Sequence, residues 1–132
     1  MKKKILVAGG AGFIGFHLCQ RLLKNNKVVC LDNYFTGSKK NIEILNKNKN
    51  FSFIKQNVQK KITLKFDEIY NLACPASPKK YQKNPLDTNK TNIFGSINLL
   101  ELAKKNKAKI FQASTSEVYG DPLIHPQDES YR

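Results

Sequence analysis

Gly9, Gly12 and Gly15 are spaced three apart in Gly9-Gly10-Ala11-Gly12-Phe13-Ile14-Gly15, between an apolar run and a segment with helical spacing. Glycines so placed do three things: the first permits a tight turn, the second lets backbone approach a pyrophosphate, and the third lets a helix pack closely on a strand. The amides that open the helix then face the phosphates, with the helix dipole behind them. Glycine turns also open helices for packing reasons alone. Here, however, Asp32 follows twenty residues after Gly12, at the end of a second apolar run. A carboxylate there accepts hydrogen bonds from ribose hydroxyls and repels a 2′-phosphate, so the pattern predicts NAD rather than NADP as cofactor.

These residues need a scaffold, and the hydrophobic pattern supplies one. Ile5-Leu6-Val7-Ala8 is short and apolar throughout, as in a strand buried on both faces. From Phe13 to Lys24 the residues Ile14, Leu18 and Leu22 recur at four-residue spacing, and Asn25-Asn26 ends the predicted helix. Val28-Val29-Cys30-Leu31 is a second strand that ends at Asp32, which completes a parallel crossover unit. Beyond a polar, asparagine-rich stretch with a short helix expected at Ile42 to Leu45, Phe51 to Ile54 and Glu68 to Leu72 read as strands three and four. Pro85 to Lys105 predicts a long helix with Ile93, Ile97, Leu100 and Ala103 on one face despite Gly95, and Lys109 to Ala113 a fifth strand. Five strands interleaved with helices predict an α/β fold of Rossmann type, a doubly wound parallel sheet. After Ser114 the chain turns polar and proline-bearing, with no helix to cover the last strand. Residues 1–132 therefore read as one NAD-binding domain, incomplete at its C-terminus.

Composition narrows the function classes. The 132 residues hold 23 Lys plus Arg against 10 Asp plus Glu, a formal charge of +13, yet the excess is lysine apart from Arg21 and Arg132. Arginine is the residue that reads phosphates and base edges bidentately, and these lysines are dispersed, so a specific nucleic-acid partner is not expected. The three cysteines, Cys19, Cys30 and Cys74, are widely spaced, with no C-x-x-C pair and no histidine cluster. Neither a disulfide framework nor a metal site is indicated, and a reducing cytoplasm is the expected compartment. Lys2 to Lys4 and the apolar run after them imitate the start of a secretory signal, but glycines interrupt it; no segment has the length to span a membrane.

With the dinucleotide unit in place, three further stretches carry a family resemblance: Leu31-Asp32-Asn33-Tyr34-Phe35-Thr36-Gly37, Tyr70-Asn71-Leu72-Ala73-Cys74-Pro75-Ala76-Ser77-Pro78 and Ala113-Ser114-Thr115-Ser116-Glu117-Val118-Tyr119-Gly120-Asp121-Pro122. The chain resembles the extended short-chain dehydrogenase/reductase (NAD-dependent epimerase/dehydratase) family and, within it, the N-terminal part of the UDP-glucuronate decarboxylases (UDP-xylose synthases). The resemblance implies Gly12, Phe13 and Ile14 on the pyrophosphate, and Asp32, Asn33, Phe35, Thr36 and Gly37 around the adenosine ribose. It also implies Asn57 and Val58 beside the adenine, Leu72, Ala73 and Pro75 along the cofactor, and Tyr81 and Lys90 as contacts of the sugar nucleotide or cofactor. Asn57 stands where the family has Asp, Ala8 where it commonly has Thr, and Phe16 where it commonly has Ser; the last two are expected to loosen the loop's hold on a cofactor.

The reaction so implied oxidises the sugar C4 hydroxyl with NAD⁺, loses the C5 carboxylate as CO₂ from the β-keto acid, and reduces the ketone again. By resemblance Thr115 is the hydroxyl that orients C4, Glu117 the acid associated with decarboxylation, and Ser116 a group that positions the carboxylate. On their own the three also read as a polar strand exit satisfying backbone groups. The base should be a tyrosine with a lysine four residues on, whose charge lowers the phenol pKa. Tyr34, Tyr70, Tyr81 and Tyr119 are followed at that spacing by Ser38, Cys74, Pro85 and Leu123, and Tyr131 lacks the following chain. The expectation is thus an N-terminal portion, inactive alone, of a UDP-sugar enzyme that is a homodimer when complete. The alternatives are a related epimerase or 4,6-dehydratase fragment and a non-catalytic NAD-binding module.

Overall fold

The computed structural model describes residues 2–131. Five parallel strands, β1 (Lys4–Ala8), β2 (Lys27–Asp32), β3 (Phe51–Lys55), β4 (Glu68–Asn71) and β5 (Lys109–Gln112), lie in the order β3-β2-β1-β4-β5. Chain order reverses between β1 and β4, the crevice where doubly wound sheets bind ligands. The continuous apolar run of β1 is explained by its two faces. Ile5 and Val7 point into one core with Val28, Cys30, Cys19, Ile42 and Leu45, while Leu6 and Ala8 point into another with Leu31, Ile69, Leu99 and Leu102.

Helix α1 (Phe13–Leu22) and α2 (Lys39–Leu45) cover the first face. The residues of α1 that meet the sheet are Gly15 and Cys19, followed by Leu23 just past its end. Ile14, expected on that face, is exposed instead, because Gly15 is what lets the helix lie against the glycine turn. Phe16 turns into the first core, with its ring 5.1 Å from that of His17, and does not line the cleft described below.

The second face is covered by α5 (Ser96–Asn106) and by the β3–β4 connection. That connection has no helix, contrary to strict strand and helix alternation; Val58, in a turn, and Ile62 and Phe66, in irregular chain, pack on the sheet. The long helix expected from Pro85 is three pieces: α4 (Pro85–Lys90), a π-helical turn (Thr91–Gly95) and α5, preceded by a short α3 (Pro78–Tyr81). Pro85 at the first turn and the Asn84 side chain, accepting from the Asp87 amide at 3.2 Å, start α4. The buried face of this unit is Gly95, Leu99, Leu102 and Ala103. Ile93, Ile97 and Leu100 are exposed, so of the expected stripe only Ala103 is core. The helix is apolar on two sides, and the sheet takes the side where Gly95 admits Val58: a Cβ on Gly95 would stand 2.6 Å from Val58 Cγ1.

Candidate functional site

A cleft of about 1330 Å³ opens along the C-terminal ends of the strands. Its floor is the glycine loop. Gly9 has φ +82°, and a Cβ there would lie 2.6 Å from the Leu72 carbonyl oxygen. A Cβ on Gly15 would collide with the Gly9 carbonyl and stand 2.7 Å from Gly10 Cα. Gly12, the N-cap of α1, is different: its added Cβ would touch only the Gly9 oxygen, at 3.3 Å, and the residue lines the cleft. Two of the glycines are thus required by the fold, while Gly12 leaves a bare backbone surface in front of a helix N-terminus. That is the cradle a pyrophosphate needs, and the residues present fit a dinucleotide.

Asp32, only 9% exposed, lines the cleft at the end of β2. Its Oδ2 accepts from the Ala11 amide at 3.0 Å and its Oδ1 from the Tyr34 amide at 2.7 Å. This carboxylate couples the glycine loop to the β2 exit, and each oxygen keeps a lone pair for a ribose hydroxyl. Tyr34 turns the chain with φ +63° and packs its ring 5.1 Å from that of Phe53. Asn33, Phe35 and Thr36 line the cleft, but Gly37 does not. Its place is behind the carboxylate, where a Cβ would stand 2.7 Å from Ala11 Cβ and 3.1 Å from Asp32 Oδ1. Beneath the loop, an added Cβ on Gly10 would lie 2.5 Å from Cys30 Sγ and 3.1 Å from Cys19 Sγ. Both thiols are buried, and the hydrogen bond to Cys19, together with burial, pushes the Cys30 pKa far up.

The far wall is built by β4 and β5. Leu72, Ala73, Cys74 and Pro75 line it, as do Ala113, Ser114, Thr115 and Glu117; Ser116 does not. Thr115 Oγ1 accepts from the Glu117 amide at 3.4 Å and so caps the 3₁₀ turn Ser116–Tyr119. Desolvation of the thiol by its neighbours on the cleft wall raises the Cys74 pKa, against a hydrogen bond with Asn92 that lowers it. On the third side Tyr81 reaches the cleft, whereas Lys90 does not; the lysine that lines it is Lys80. Asn57 and Val58 close the end beside Asp32.

Sequence reasoning passes over the polar layer behind this wall. Asn71, 4% exposed, donates from Nδ2 to Gln112 Oε1 at 2.8 Å and to Ser96 Oγ at 3.4 Å, and its Oδ1 accepts from the Ala73 amide at 3.2 Å. All three side chains border the cleft. Asn71 sits within a stretch quoted for its motif, but only the fold brings Ser96 and Gln112 to it.

Together these features define a doubly wound α/β protein of Rossmann type with a nucleotide-sized cleft at its topological switch point. The family model described as GDP-mannose 4,6 dehydratase matches residues 6–132, and the chain belongs to that family, a branch of the extended short-chain epimerases and dehydratases. It is 54% identical over 130 residues to UDP-glucuronic acid decarboxylase 3 of Arabidopsis thaliana, covering 97% of this chain and 38% of that relative. The fold is similar to UDP-N-acetylglucosamine 4-epimerase from Methanobrevibacter ruminantium, with TM-score 0.86, 35% identity, and 98% of this chain against 44% of that one. It is also similar to UDP-glucose 4-epimerase from Bifidobacterium longum, solved with NAD⁺ and UDP, with TM-score 0.83, 26% identity, and coverage of 98% and 42%. The chain thus spans less than half the length of each of these proteins. Among the described residues no helix is long and apolar enough to cross a membrane.

Proposed function

We propose that this chain is the NAD-binding portion of a nucleotide-sugar decarboxylase that converts UDP-glucuronate to UDP-xylose through a 4-keto intermediate. The observation that carries the reading is one cleft that joins Gly12 and Asp32 on one side to Thr115 and Glu117 on the other, in a chain 54% identical to a UDP-glucuronic acid decarboxylase. NAD supplies a hydride acceptor at the sugar C4 and returns the hydride at the end. Gly12 and the first amides of α1 hold the pyrophosphate, and Asp32 holds the adenosine ribose and excludes a 2′-phosphate. Leu72, Ala73 and Pro75 keep water from the nicotinamide end. Thr115 orients the C4 hydroxyl, and Glu117 faces the carboxylate to be lost. Tyr81, with Lys80 in the place first given to Lys90, contacts the sugar nucleotide. The phenol and lysine that remove the C4 proton are not among residues 1–132, so this polypeptide binds cofactor without turning over substrate.

Free thiols, Cys19 and Cys30 buried and Cys74 exposed, suit a reducing cytoplasm, and the exposed stripe of Ile93, Phe94, Ile97 and Leu100 suits pairing with a second copy. Calorimetric titration tests the cofactor assignment: NAD binds more tightly than NADP, and equal or tighter NADP binding defeats the role given to Asp32. Incubation with UDP-glucuronate and NAD⁺, followed by mass spectrometry, yields no UDP-xylose; product above a no-protein control means another residue acts as base. The likeness to 4-epimerases supports one competing reading, an epimerase portion. A completed enzyme that changes the C4 configuration without releasing CO₂ decides for it.

A further inference from the structure

Because the sheet is parallel throughout, every strand starts at one end, opposite the cleft. That end gathers lysines that are dispersed in the sequence. Lys24, Lys47 and Lys107 follow α1, α2 and α5, where the C-terminal carbonyls of a helix favour a cation. Lys27 and Lys109 open β2 and β5, and Lys49 and Lys65 stand just before β3 and β4, so no helix end accounts for them. All of these lysines are exposed. The carboxylates at this end are already engaged: Asp67 Oδ2 accepts from the Lys4 amide at 2.7 Å, and Glu68 pairs with Lys3. Asp32, Asp87 and Glu117 line the cleft instead, and Glu101 pairs with Lys61. The positive charge of the chain therefore has a side.

We propose that this end of the sheet is a docking face for an anionic phospholipid surface. Backbone bonds join the strand starts into one rim: the Lys27 amide donates to the Lys3 carbonyl at 2.9 Å, and the Lys109 amide to the Asp67 carbonyl at 3.2 Å. Along that rim Lys27 and Lys109 stand three strand spacings apart, about 14 Å. Across it, Lys24 and Lys47 belong to the layer of α1 and α2, while Lys65 and Lys107 belong to the layer of α5 and the β3–β4 connection. The charge thus spreads in two directions, which matches a plane of anions better than the single line of a phosphate backbone. The aromatic rings at this end, Phe51 and Phe66, are buried, so the face has no platform on which bases could stack. Leu64, beside Lys65 and tied to α5 through its carbonyl by Asn106 Nδ2 at 3.1 Å, adds an exposed apolar side chain that a headgroup layer accepts. A chain seated this way keeps its cleft open to solution.

The test is co-sedimentation of the whole chain with vesicles. The native chain is retained by phosphatidylcholine vesicles that hold about one-third phosphatidylserine, not by phosphatidylcholine alone, and added salt releases it. Each lysine at such a surface is worth about fivefold in affinity, so Lys27→Gln, Lys49→Gln, Lys65→Gln and Lys109→Gln combined lower binding by at least about 10²-fold. Lys39→Gln, Lys40→Gln, Lys79→Gln and Lys83→Gln combined remove the same charge from exposed lysines of α2 and the α3 region, and lower it by less than about tenfold. Acylation of the native chain, read by mass spectrometry, needs no variant: bound vesicles shield the first four lysines and leave the second four reactive. Equal losses in the two variants, or equal shielding of the two sets, reduce the attraction to net charge and overturn the proposal. So does a native chain that anionic vesicles do not retain, and retention by duplex DNA alone assigns the face to a nucleic acid instead.

Discussion

At the scale of single residues, Gly12 and Gly15 look alike in the motif and differ in the structure. Gly15→Ala forces a methyl into the Gly9 carbonyl, and a crowded backbone contact of this kind costs about 1–3 kcal/mol, read as a lower urea midpoint. Gly12→Ala meets only one oxygen, so its unfolding midpoint stays near native while NAD affinity falls, because the methyl occupies the phosphate cradle. If both variants lose stability equally, Gly12 serves the fold alone. Glu117 is tested in an enzyme completed with a family C-terminal half. Glu117→Gln is expected to slow CO₂ release about 10²-fold, the scale of one acid–base group, while NADH still forms in a single turnover. Unchanged CO₂ release makes Glu117 a loop carboxylate. At this scale the glycine loop and Asp32 were readable because their chemistry is local in sequence. Lys90 does not line the cleft although its neighbours Asn89 and Thr91 do, because at the end of α4 it is turned away; the fold puts Lys80 of α3 there.

At the scale of elements, β1 and β4 are tied at one end by an ion pair with 2.6 Å between Lys3 Nζ and Glu68 Oε1. The lysine holds the Glu68 carboxyl below its ordinary range, and Glu68 holds the Lys3 ammonium above its own. The pair's contribution is therefore complete above the unfolded glutamate pKa and is lost as pH falls through the lowered folded value. At the alkaline end it is lost only as pH rises through the raised lysine value. Urea midpoints from pH 7 down to pH 3 are expected to fall less in Glu68→Gln than in the native chain; parallel curves deny the pair a role. β1 and β2 were legible because a parallel strand buried on both faces is a continuous apolar run, whereas β3, β4 and β5 are shorter on apolar residues and partly exposed. The helix after Pro85 was legible in extent but not in facing. Its apolar residues surround it, and only the π-helical turn and the Gly95–Val58 contact decide which side meets the sheet.

At the scale of the whole molecule, apolar surface collects along one helical unit, at Ile93, Phe94, Ile97 and Leu100. Surface of that kind marks an interface. Sedimentation is expected to show concentration-dependent association that Ile97→Lys weakens without lowering the unfolding midpoint; a monomer at all concentrations removes the pairing proposal. On the opposite side, the two sulfurs sealed under Gly10 make the molecule its own stopwatch. Cys74 is exposed, so an aromatic disulfide reagent consumes one thiol at once, and the remaining two react only when the glycine loop lifts away from the sheet. The slow phase of that reaction times the lifting of the loop, and a dinucleotide seated on Gly12 lengthens it by the factor 1 + [L]/Kd, where [L] is the free dinucleotide concentration.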